Sequence, residues 1–65
     1  MTDLETIKAE VKKLSSQAVT AKMNLHDLAE DLPINWEQIL LVAQRAHDTY
    51  RELESKRAIL KAAGA

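Results

Sequence analysis

His26 and Glu30 stand four residues apart within "HDLAEDLPINWEQILLV", residues 26–42, and of all side chains in this sequence they are the pair best spaced to share a cation. Positions four apart are neighbours on a helix surface, so an imidazole nitrogen and a carboxylate oxygen would face one ion together. Nickel or zinc suits such donors, but either wants about four ligands, which leaves the rest to water or another molecule. His47 is the second imidazole of the chain, and a site that recruited it would bind more tightly. A plainer reading competes: His26 is hydrogen-bonded to Glu30 or packed between subunits, and His47 flanks Ala46 as a partly buried interface residue.

Other reactive chemistry is poorly supported. Cysteine is absent and Gly64 is the only glycine, which rules out thiolate metal sites, disulfides and glycine-rich phosphate loops. Ser15, Ser16 and Ser55 fall on helix surfaces far along the chain from His26, so no nucleophile meets a base, and a non-enzyme is expected.

The elements that position these residues follow from periodicity. Leu4, Ile7, Val11, Leu14, Ala18, Ala21, Leu25, Leu28 and Leu32 recur in alternating steps of three and four, the seam of a packed helix over about 3–32. Thr2 and Glu5 have the spacing of a capping box at its start. Pro33, which has no amide hydrogen and disfavours helical geometry at Leu32, ends it. After a turn at about 32–35, Asn35 is expected to cap a second helix over about 36–62, with Glu37 in its first turn and Gly64 beyond its end. The inner face predicted for that helix is Ile39, Ala43, Ala46, Tyr50, Leu53 and Leu60. Trp36 is expected to close the turn against Leu28 and Leu32.

Two helices joined by so short a turn fold back antiparallel, giving one all-α hairpin domain over 1–65. A single hairpin does not account for the sequence, however. The segment "ILLVA", residues 39–43, is apolar all round, and Val19 and Met23 lie off the main seam of the first helix. A chain of 65 residues without disulfides also has too small a core to be more than marginal alone. A second hairpin is the economical cover, making a homodimeric four-helix bundle or rod-like coiled coil. The expected dimer or partner interface is Val19, Met23, Trp36, Leu40, Leu41 and His47.

Nine basic and ten acidic side chains give a net charge of −1, with no general pull toward nucleic acid or membrane. No apolar run is long enough to span a bilayer, and the acidic "MTDLETIKAE" start is unlike a signal peptide, so the expected location is the cytoplasm. Charge is nonetheless uneven along the rod. From Lys22 to His47, Asp27, Glu30, Asp31 and Glu37 outnumber Lys22 and Arg45, whereas lysine and arginine prevail toward the chain ends. This gradient favours an antiparallel dimer, modestly, because exposed pairs contribute only about 0–1 kcal/mol each. Solvated i, i+4 pairs such as Glu52 with Lys56 are the simpler use of these charges.

The segment "LSSQAVTAKMNLHDLAEDLP", Leu14 to Pro33, followed by Trp36 and "VAQRAHDTYRELE", resembles the Rop-like small proteins encoded in bacterial nitrogen-fixation gene clusters. The most specific part of the likeness is "AKMNLHDLAEDLP", Ala21 to Pro33. Small residues at Ala18, Ala21, Ala43 and Ala46 are also similar to the small-and-large core layers of Rop bundles. The resemblance implies a dimerising antiparallel hairpin and an accessory role in nitrogen fixation, with a nitrogenase component or assembly factor as partner. Because Rop binds RNA through a helical face, RNA binding is the alternative it implies. The near-neutral charge, the lack of phenylalanine and the absence of an arginine-rich face speak against that alternative.

Overall fold

The structure, a computed structural model, describes residues 3–64. Helix α1 runs Leu4–Asp31 and helix α2 runs Ile39–Ala62; they lie antiparallel in a rod of 46 × 16 × 15 Å. Asp3 caps α1 in an extended conformation, its carboxylate accepting the Glu5 amide at 3.0 Å. The capping role expected of Thr2 lies outside the described residues. At the other end Leu32 leaves helical geometry (φ −54°, ψ 141°), as a residue before proline must.

The turn differs from expectation in how it starts the second helix. Asn35 does not cap with its side chain; it adopts the left-handed conformation (φ 61°, ψ 26°) and its carbonyl accepts the Gln38 amide at 2.9 Å. Trp36–Gln38 form a 3-10 turn, so the α-helix proper begins at Ile39, three residues later than predicted. Asparagine fits this role because it tolerates the left-handed region better than other residues with a Cβ. Asn35→Gly should therefore leave stability nearly unchanged, whereas Asn35→Val should cost about 1–2 kcal/mol. Thermal melts at matched concentration would show the valine variant lower by several degrees, and equal melts would remove the left-handed residue from the account. At the far end the Ala63 amide donates to the Ile59 carbonyl at 3.1 Å. The Gly64 amide donates to Lys61 at the same distance, and Gly64 takes φ 76°, the left-handed stop expected of it.

Burial on α1 follows the predicted seam through its middle: Ile7 and Ala18 are buried, and Val11, Leu14, Ala21 and Leu28 are half-buried, but Leu25 and the seam's two ends, Leu4 and Leu32, are exposed. On α2 the inner line is Val42, Ala46, Thr49, Leu53, Lys56 and Leu60, again in steps of four and three. Ile39 and Tyr50, predicted for the inner face, sit at its exposed margin instead. Two polar residues hide the true register. Thr49 is half-buried because its hydroxyl donates to the Arg45 carbonyl at 2.8 Å. Lys56 lays its aliphatic stem along the seam and carries its ammonium to Glu10 of α1, 3.0 Å away, rather than to Glu52.

Only four side chains among the described residues are buried: Ile7, Ala18, Ala46 and Leu53. Two of the four are alanines, which contribute little apolar area. The hairpin alone is thus a thin core between two long helices.

Candidate interaction surface

The two flat sides of the hairpin differ in chemistry. Shallow grooves between the helices open on one side, lined by Glu10, Lys13, Leu14, Gln17, Glu52 and Lys56 near the open end and by Gln17, Thr20, Ala21, Asn24, Val42 and Arg45 nearer the middle. That side is polar at its rim, over a floor of Leu14, Ala21 and Val42. The other side follows from helix geometry: it holds the residues that lie roughly 50–140° past the inner line of each helix in the direction of the chain. These are Val19, Lys22, His26 and Ala29 facing Ile39, Ala43, His47 and Tyr50, whereas Met23 and Leu40 point from the backs of α1 and α2. Val19 and Met23 are 59% and 50% exposed, Leu40 83%, and Leu25, Ile39 and Tyr50 are also open to solvent. The apolar excess inferred from "ILLVA" and from Val19 and Met23 is therefore spread round the half of the rod nearer the turn, with Val19, Ile39, Ala43 and Tyr50 sharing one side.

Trp36 is 62% exposed. It does not close the turn against Leu28 and Leu32 as expected; the 3-10 turn holds it away from the seam. Leu41 is exposed as well, but it lies roughly 100° before Val42 of the inner line and so flanks the grooved side, opposite the apolar one.

The His26 and Glu30 side chains meet, Nε2 to Oε1 at 2.9 Å, with both groups mostly in solvent. His47 is exposed too, its Nδ1 3.6 Å from the Asp48 carboxylate, so any burial of it must come from a partner. The register set by Glu10 with Lys56 places His26 level with about residue 40 of α2, and His47 roughly 10 Å further along the rod at 1.5 Å per residue. One hairpin does not bring the two imidazoles together. Among the described residues no group of three side chains is arranged to ligate a metal. Chemically, His26 and Glu30 form a paired donor set suited to a hydrogen bond or to two positions of an ion's shell.

Other polar side chains are held locally. Arg57 pairs with Glu54 at 2.9 Å, Gln44 donates to Asp48 at 2.8 Å, and Arg51 lies 3.5 Å from the same carboxylate. From residue 23 to residue 44, in contrast, there are four carboxylates, Asp27, Glu30, Asp31 and Glu37, and no lysine or arginine. Among the described residues only Glu30 of these four has an ionic partner, His26.

With this geometry in place, three kinds of likeness can be stated. A family profile described as Rop-like matches residues 2–65. A UPF0437 protein of Azorhizobium caulinodans is 61% identical over 61 residues, covering 94% of this chain and 88% of its own. One from Sinorhizobium fredii is 48% identical, covering 95% and 92% respectively. A third, named for its place in a nifX–nifW intergenic region of Frankia alni, is 49% identical over 78% of this chain and 62% of its own. Among solved structures, the NMR structure of a Northeast Structural Genomics Consortium target superposes with a TM-score of 0.86. It is 44% identical and covers 94% of this chain and 86% of that one.

Proposed function

The chain belongs to the Rop-like family, and from that premise we propose that it is a dimeric, non-enzymatic interaction module serving nitrogen fixation. The observation that carries the dimer is the exposed apolar side formed by Val19, Ile39 and Tyr50 about Ala43, beside a core of only four buried side chains. A second hairpin laid on that side removes these residues from water at about 25 cal/mol per Å² and doubles the number of core layers. The link to nitrogen fixation is carried over from the Frankia relative, whose name places it between nifX and nifW. A nitrogenase component or assembly factor is the partner class this link suggests.

Because association stabilises the folded state by mass action, the melting temperature should rise with protein concentration. A melting point independent of concentration would count against the dimer. The subunits are proposed to run antiparallel, which sets the acidic turn end of one beside the lysine-rich open end of the other. Spin labels placed at Glu37 should then lie far apart across the dimer, and a short label-to-label distance would establish the parallel arrangement instead.

A second reading rests on the contact between His26 and Glu30. That pair supplies two ligands, enough for weak binding of nickel or zinc completed by water, and acidification would abolish it because a protonated imidazole cannot ligate. Calorimetric titration should give loose binding that His26→Ala eliminates. Equal affinity in the two proteins would return His26 to a hydrogen-bonding role alone.

A further inference from the structure

The turn end of the rod carries an apolar cluster that the proposed dimer does not use. Within eight consecutive residues, Ile34 is 66% exposed, Trp36 62%, Leu40 83% and Leu41 49%. Leu40 lies on the back of α2, Leu41 flanks the grooved side, and Ile34 and Trp36 belong to the turn and the 3-10 segment beyond the last helical layer. Laying a second hairpin on the apolar side therefore leaves Leu41 and its neighbours in the turn uncovered. Aromatic and aliphatic side chains grouped this way cost free energy in water, and they are the usual anchors of protein recognition.

The charges around the cluster say what would cover it. Asp27, Asp31 and Glu37 surround it with no lysine or arginine nearer in sequence than Lys22 and Arg45, and among the described residues none of the three has an ionic partner. A second copy docking turn to turn would set carboxylates against carboxylates. An anionic lipid surface or a nucleic acid would be repelled in the same way. A cationic protein segment meets both demands at once.

We propose that the turn end of the hairpin is a docking surface for a second protein. The partner would present an amphipathic, lysine- or arginine-rich helical segment that lays aliphatic side chains against Ile34, Trp36 and Leu41 and its cations beside Asp27, Asp31 and Glu37. The apolar contact supplies affinity, and the carboxylates steer the approach and select against acidic competitors. This inference rests on the interaction-module reading and gives it a surface and a partner chemistry.

Trp36 is the only tryptophan of the chain and sits within the proposed surface, so its emission reports binding directly. The probe is a synthetic leucine–lysine amphipathic helix of about five turns, with a leucine–glutamate helix of equal length as its counterpart. The lysine peptide should shift Trp36 emission to the blue saturably, and the binding should weaken as salt is raised past a Debye length of about 8 Å. Leu41→Gln and Glu37→Lys, both at exposed positions, should each weaken it about tenfold with helicity retained. Several outcomes would overturn the proposal: no shift with the lysine peptide, an equal shift with the glutamate peptide, or a shift untouched by Leu41→Gln. So would a shift produced by RNA or anionic vesicles but not by the peptide, or a tetramer whose formation Leu41→Gln abolishes. Dimer mass is measured separately, so a protein that dimerises but ignores the peptide refutes the docking surface alone, whereas loss of the dimer refutes the wider reading.

Discussion

Leu53→Ala should leave this protein largely unfolded at room temperature. Leu53 is 2% exposed and is one of two large aliphatic side chains the hairpin buries completely, the other being Ile7 on α1. Truncating a buried leucine to alanine costs about 2–5 kcal/mol, through lost transfer free energy and the cavity left behind. A single core of this size rarely supplies more than about 3–5 kcal/mol. The substitution therefore removes most of the stability available to one subunit. Urea denaturation followed by circular dichroism, at equal protein concentrations, measures the loss. Leu40→Ala is the control: it deletes the same atoms from a position 83% exposed and should change the hairpin's own stability by less than about 0.5 kcal/mol. A Leu53→Ala cost below about 1 kcal/mol would mean that the seam through Val42, Ala46, Leu53 and Leu60 does not hold the helices together.

A negative charge on the apolar side should split the dimer. Ala43 is half-buried at the foot of that side, between Ile39 and Tyr50, and a second hairpin would approach it most closely because it is small. Ala43→Glu would strand an unpaired carboxylate in the contact, a penalty of about 3–5 kcal/mol. Dissociation constants should then rise by at least about a hundredfold, since each 1.4 kcal/mol is a factor of ten. Val19→Glu should act in the same direction from α1, without touching the hairpin's own seam. Gln17→Glu adds the same charge on the grooved, polar side and should leave the mass unchanged. If all three variants behaved alike, the distinction between the two sides would be wrong.

The sequence makes some of these features readable and conceals others, for physical reasons. The seam of α1 is written in aliphatic residues at every third or fourth position, so its line could be anticipated, although Leu4, Leu25 and Leu32 on it stay exposed because α2 alone covers too little. The seam of α2 is interrupted by Thr49 and Lys56, polar by type yet half-buried through an internal hydrogen bond and an aliphatic stem. A count of apolar residues slides past them to Ile39, Ala43 and Tyr50, which mark the margin. Asn35 suits both a helix cap and a left-handed turn residue, and only the backbone angles decide between them. Trp36 shows the limit most clearly. A large aromatic beside a proline invites burial, but the 3-10 turn carries it into solvent, and no periodicity encodes that direction. The pairing of His26 with Glu30 needed only their spacing, whereas the distance between His26 and His47 depends on the register of the two helices.

Self-association is the claim on which the rest depends, and sedimentation equilibrium run alongside circular dichroism tests it most directly. Across a dilution series from about 100 μM downward, the mass should be twice that of the chain at the top and fall toward one chain only as helicity is lost, since a folded monomer is a poor state for so small a core. A monomeric mass with full helicity at the highest concentration would contradict the account. In that case the apolar side of Val19, Ile39, Ala43 and Tyr50 would belong to a different partner altogether.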